Sequence, residues 1–142
     1  MMLKKHTFSH FLAAAFIALF VSCGGNEDVN TGDRLVGTWQ LKTVTVDGNS
    51  VDITGRRDLM QLQANFIYRA CNTATPGTST VRGGWSYQDE MLNISLDLPA
   101  AYYVLEVTSD ALSLERFDFN GDGALQTTVL NYGKVADSSF PD

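Results

Sequence analysis

The sequence predicts an all-β chain, an antiparallel up-and-down meander of about eight strands that closes into a barrel. Three observations carry this. Apolar and polar residues alternate at period two, as in Leu92, Ile94, Leu96 and Leu98 against Asn93, Ser95 and Asp97. Turn-forming pairs recur every ten or eleven residues, at Asp89-Glu90, Pro99-Ala100, Ser109-Asp110 and Asn120-Gly121, the spacing of short hairpins. From residue 35 onward no stretch sustains helical periodicity for ten residues.

Taken in order, the first strand is expected at 35–46, closed by Asp47-Gly48, a strong hairpin pair. Residues 51–53 could add a short strand, and 56–60 a short helix. A long strand is expected at 59–71, where Leu62, Ala64, Phe66, Tyr68 and Ala70 alternate with Gln61, Gln63, Asn65 and Arg69. Residues 72–80 form the longest featureless connection after the first strand, a candidate rim or contact loop. Strands follow at 81–88, 91–98, 101–108 (Tyr103, Leu105 and Val107 inward), 111–119 (Leu112 and Leu114 inward) and 124–134. Closing such a sheet on itself removes its exposed edges; a two-sheet sandwich is the alternative.

Ahead of the strands, residues 1–10 are short and basic (Lys4, Lys5), 11–20 are apolar and uncharged, and Val21-Ser22 lead to Cys23. The apolar run is about half the ~20 residues that a membrane-spanning helix needs. Phe20-Val21-Ser22-Cys23 resembles the lipobox of bacterial lipoproteins. That resemblance implies a signal peptide over 1–22, cleavage before Cys23, and a diacylglycerol and further acyl chains such as palmitate on that residue. Durable anchoring requires at least two chains. Residues 23–34 then read as a flexible lipidated tether, leaving 35–142 as the barrel domain. Glu27-Asp28 resembles the acidic signals that send some lipoproteins of diderm bacteria to the cell surface, and a merely solvated tether is the other reading. The expected location is the cell envelope of a diderm bacterium, as an outer-membrane lipoprotein that is periplasmic or surface-exposed.

Cleavage would remove Lys4 and Lys5 from ten basic residues and none of the sixteen acids, so the formal charge becomes −8. Such a chain lacks the clustered cations that phosphate backbones require, which argues against nucleic acid. It also argues against electrostatic adsorption to anionic lipid, so the membrane is a partner only through the acyl chains. His6 and His10 are the only histidines and both lie in the signal. Without imidazole the usual general base and the Ser-His and Cys-His arrangements are gone, as is the commonest nitrogen ligand for zinc. No enzymatic activity, catalytic residue, cofactor or metal is expected, and the chain is expected to act as a monomer.

Gly37-Thr38-Trp39 resembles the G-x-W opening of the lipocalin and fatty-acid-binding superfamily, in which the tryptophan closes one end of the barrel. Gly83-Gly84-Trp85-Ser86, Leu92-Asn93-Ile94, Val104 to Thr108 and Leu112-Ser113-Leu114 follow in the order seen in bacterial lipocalin-like lipoproteins. The resemblance spans about residues 35–135. Neither the T-D-Y turn of true lipocalins nor the carboxylate-gripping R-x-Y of fatty-acid-binding proteins is present, and a fold does not by itself confer a function.

Asp118, Asn120, Asp122 and Gly123 match the first half of a calcium loop, but the position of the bidentate acid is Val129, so a hairpin turn is the expected reading. Cys71 is expected to be a free, partly buried apolar residue. Phe66, Tyr68, Leu96, Tyr103 and Leu105 are the candidate ligand-binding residues, in an interior with no charged side chain. The sequence leaves open whether the barrel binds a small apolar or amphipathic ligand, or is filled and acts through its loops as a surface-interaction or inhibitory accessory lipoprotein. The mooring has a direct test. Cys23→Ala should abolish acylation and leave uncleaved precursor, read by intact-mass spectrometry and detergent partitioning; wild-type lipid mass on the variant would refute the lipobox reading.

Overall fold

The computed structural model describes residues 30–72 and 79–141. The expected signal, Cys23, most of the tether and the middle of the 72–80 loop lie outside them. The described chain begins with a one-turn helix, α1 (Thr31–Leu35), in the last residues of the segment expected as tether. Asn30 caps it, its Oδ1 accepting from the Gly32 N–H at 3.1 Å.

Among the described residues nine strands follow: β1 (Gly37–Val46), β2 (Asn49–Val51), β3 (Asp58–Leu62), β4 (Ile67–Asn72), β5 (Thr80–Gln88), β6 (Met91–Ser95), β7 (Ala100–Val107), β8 (Ala111–Phe119) and β9 (Leu125–Val135). β1 and β3 to β9 pair antiparallel in chain order, and β9 returns to pair with β1 from Thr38↔Val135 to Val46↔Thr128. The result is the expected closed eight-stranded barrel. β2 is an extra strand hairpinned onto the outer half of β1. Asp47 and Gly48, at φ 49° and 79°, make the tight turn between them.

The expected strand at 59–71 is two strands. Phe66 adopts φ 62°, and the Gln63 and Ile67 backbones close a hairpin there, the Gln63 N–H donating to Ile67 O at 2.9 Å. A bulky aromatic in the left-handed region is uncommon, so the alternating pattern concealed the turn. Asp58 to Met60 are strand rather than helix, and the short strand lies at 49–51 rather than 51–53. β6 stops at Ser95, short of the expected 98. Pro99, which cannot donate to a ladder, follows four residues later. At this crossing a Cβ on residue 83 would stand 2.2 Å from the Ser95 carbonyl oxygen, so only glycine fits.

One end of the barrel is closed by hydrophobic packing. Trp39 and Leu35 are fully buried among Leu62, Trp85, Leu92 and Leu112, and the Trp39 indole N–H donates to Leu35 O at 2.8 Å. The helix thus seals the end that Trp39 fills, as the G-x-W resemblance implied. Lys134 covers the joint: its Nζ donates to Val36 O at 2.9 Å and lies 5.0 Å from the Trp39 ring centroid. Gly37, at φ 141°, holds a backbone conformation that other residues rarely adopt, and a Cβ there would also push aside the Lys134 side chain, 2.4 Å away.

A second, smaller cluster lies on the outside. Leu59, Cys71 and Phe140 are buried together where the C-terminal segment, a 3-10 turn at Asp137–Ser139, folds back. Cys71 is a free thiol and more deeply buried than expected. Polar contacts hold the segment down. Thr38 Oγ1 donates to Asp137 at 2.7 Å and accepts from Gln61 Nε2 at 3.1 Å, while Arg69 donates to Pro141 O at 3.0 Å and stacks on the Phe140 ring. Removing the plug should cost most. Trp39→Ala should destabilise the fold by about 3–5 kcal/mol in chemical denaturation, and a midpoint equal to wild type would show that the end is not sealed by this residue.

Candidate ligand-binding site

Among the described residues the opposite end of the barrel is open, ringed by the connections 47–57, 96–99 and 120–124. Beneath this rim lies a cavity of about 380 Å3 whose lining includes Leu41, Met60, Ala70 and Val81 together with Arg56, Asp58, Tyr68, Tyr102 and Tyr132. The interior is therefore filled at the Trp39 end and hollow toward the rim. Its volume falls at the small end of ordinary ligand pockets.

Each lining residue is placed by alternation on its strand. β3 turns Asp58, Met60 and Leu62 inward, and β4 answers with Tyr68 and Ala70 through the pairs Met60↔Ala70 and Leu62↔Tyr68. Tyr132 on β9 lies opposite both Leu41 and Leu112. The three tyrosines also pack against the buried cluster below, so they form the boundary between packed core and cavity.

The site is not purely apolar, which corrects the expectation of an uncharged interior. Arg56 Nη2 meets Asp58 Oδ2 at 2.9 Å, and Arg116, paired with Asp118, places its guanidinium 5.9 Å from the Tyr102 ring centroid. Burial, reinforced by Tyr102, pushes the Tyr68 hydroxyl up to about 12. Tyr132 is raised as well, first by burial and then by Tyr102, Tyr68 and Asp58, with Arg116 opposing. Tyr68 and Tyr132 are therefore neutral in ordinary buffers, able to donate and accept hydrogen bonds.

The expected ligand residues divide. Tyr68 lines the cavity. Leu96 packs at the margin of the core and lines a groove of about 420 Å3 with Val81, Arg82 and Leu98 where β6 leaves β5. Phe66 is 62% exposed on its turn at the sealed end, its ring 5.4 Å from that of Trp85. Tyr103 and Leu105 face outward, contrary to expectation. The pairing of β7 with β8 shifts between Val104 and Glu106, so Leu105 is the extra residue of a bulge. Before the bulge Tyr102 and Val104 point in; after it, Val107 does. A strict alternation read backward from Val107 selects the wrong face.

The site residues that the sequence reading missed had uneven signals. Leu130 leads by two residues to Tyr132, and continuing Leu112 and Leu114 in the same way reaches Arg116, which stands behind Tyr102 rather than in the cavity lining. Tyr102 had no such signal because of the bulge, and Asp58 was hidden by the helix reading of 56–60. The calcium-loop reading finds no support. Asn120 Oδ1 accepts from the Asp122 and Ala124 N–H groups at 3.0 and 2.9 Å, forming the turn between β8 and β9, and Asp118 is engaged by Arg116.

A family model described as a lipocalin-like domain matches residues 35–114. Among solved structures, a bovine odorant-binding protein in complex with a selenium-containing odorant is 8% identical, with 73% of this chain and 72% of that chain covered at a TM-score of 0.48. Aphrodisin, a sex pheromone from the female hamster, is 14% identical, covering 71% and 75% at 0.45. A dog lipocalin allergen is 11% identical, covering 69% and 72% at 0.46. No curated protein matches.

The tyrosine boundary predicts the alkaline behaviour. Tyr68 ionises near 10.0 when exposed to water and at about 12 in the fold. Its contribution to stability is therefore full below 10.0 and is lost as pH rises from there through about 12. An ultraviolet tyrosinate titration should show a late-ionising class that Tyr68→Phe diminishes; a single step near 10.0 would contradict the buried placement.

Proposed function

The chain belongs to the lipocalin-like domain family, and on that premise we propose that it is a non-enzymatic binding protein that holds one small apolar or amphipathic molecule in the cavity below its open rim. In this reading it works as a monomer, moored by acyl chains on Cys23 at the outer membrane of a diderm bacterium. The observation that carries the binding role is a barrel sealed by Trp39 and α1 at one end and hollow at the other, with about 380 Å3 behind an open mouth. Apolar walls with a few polar groups are the usual makeup of a small-molecule pocket. The order of charged, apolar and cysteine-terminated segments in residues 1–23 supports the mooring.

A separate observation favours the second reading, contact with another macromolecule. Tyr103, Leu105, Phe117, Phe119 and Leu125 are exposed on the outer face of β7 to β9, with Phe119 at 75% and Leu125 at 62%. Clustered apolar exposure of this kind marks contact surfaces.

Fluorescence titration separates the two. The chain from residue 24 onward, which carries every described element and avoids a bilayer that would dissolve the probe, should bind N-phenyl-1-naphthylamine with a saturable signal. Ala70→Trp, which fills the cavity, should weaken binding by roughly tenfold or more, equivalent to about 1.4 kcal/mol. Leu105→Trp, on the outer face, should leave it unchanged. If no saturable signal appears, the contact reading takes the place of ligand binding.

A further inference from the structure

The cavity holds an unanswered hydrogen-bond acceptor. Asp58 Oδ2 is taken by Arg56 at 2.9 Å, but Oδ1 is buried and has no partner. Buried acceptors are nearly always satisfied, because leaving one dry forfeits its hydration. Asp58 lines the same space as Tyr68, Tyr102 and Tyr132, whose hydroxyls make no hydrogen bond to protein among the described residues. The walls on either side, Met60 and Ala70, are apolar.

We propose that Asp58 and the tyrosine boundary select ligands by a hydrogen-bond-donating head group, a hydroxyl or an amine on an apolar body, and exclude carboxylate-headed amphiphiles. This rests on the binding role proposed above and adds the ligand's chemical class. A donor head would satisfy Oδ1 and could accept from a neutral tyrosine hydroxyl in turn, while its apolar body lies against Met60 and Ala70. A carboxylate brings no proton to Oδ1 and adds a second negative charge beside it. Arg56 and Arg116 each stand beside a carboxylate, Asp58 and Asp118, so neither brings an uncompensated positive charge to answer the ligand's. An ether or methyl ester fails for a different reason, having nothing to donate.

Isothermal titration calorimetry with three probes of similar size tests the inference on the chain from residue 24 onward: 1-octanol, heptyl methyl ether and sodium octanoate. Wild type should bind octanol roughly tenfold or more tightly than either of the others, the worth of a hydrogen bond to a charged group. Asp58→Asn removes the charge and should bring octanoate close to octanol. Because that change also frees Arg56, the double substitution Arg56→Gln with Asp58→Asn must show the same collapse, and Arg56→Gln alone must keep the preference. Equal binding of all three probes by wild type would overturn the head-group inference while leaving the cavity as the binding site, and so would an unchanged preference in both Asp58 variants. Failure of octanol and N-phenyl-1-naphthylamine alike to bind wild type would overturn the binding role itself, and the head-group inference with it. Circular dichroism of each variant certifies the fold, and the wild-type comparison of octanol with its ether decides the matter even where a variant does not fold.

Discussion

The antiparallel pairing of β1 with β9 is the constraint on which the rest depends. It makes a closed surface out of a meander whose end strands would otherwise expose unpaired N–H and C=O groups. Once the ring is closed, each strand has one inner and one outer face, and a shift of one residue in any pairing exchanges them. The sealed end, the hollow end and the outer cluster all follow from that registration.

Two irregularities adjust it. The β1–β9 ladder shifts between Leu41 and Thr43, and the β7–β8 ladder between Val104 and Glu106. Bulges of this kind bend and twist a strand while re-aiming its side chains. The second delivers Tyr102 to the cavity and leaves Tyr103 to meet Phe117 edge-on outside, their ring centroids 6.0 Å apart. A binding wall and an exposed apolar strip are thus two sides of one local device.

Much of this was legible in the residues. Period-two patterning and turn pairs place most strands, and Ala111–Phe119 is read at its observed bounds. Trp39 reads as a plug because glycine precedes it by two residues at the head of the first strand. The β3–β4 turn was not legible, since it relies on Phe66 at a positive φ that its neighbours support and its own chemistry disfavours. The site was read least well. Four of the five expected residues lie elsewhere: Phe66, Tyr103 and Leu105 because local alternation carries no information about a bulge or a hidden hairpin, and Leu96 because β6 ends at Ser95. The polar groups of the cavity come from β3, β4, β7 and β9, so only the three-dimensional pairing brings them together.

The outer cluster gives Cys71 a particular kind of chemistry. Its thiol lies beneath Phe140, on a segment fastened by the contact of Asp137 with Thr38 and of Arg69 with Pro141. A thiol so covered reacts with an alkylating reagent only when that segment lifts. Its labelling rate therefore reports the opening equilibrium of the latch rather than the reactivity of the sulfur. A single native atom thus serves as a clock for one local motion.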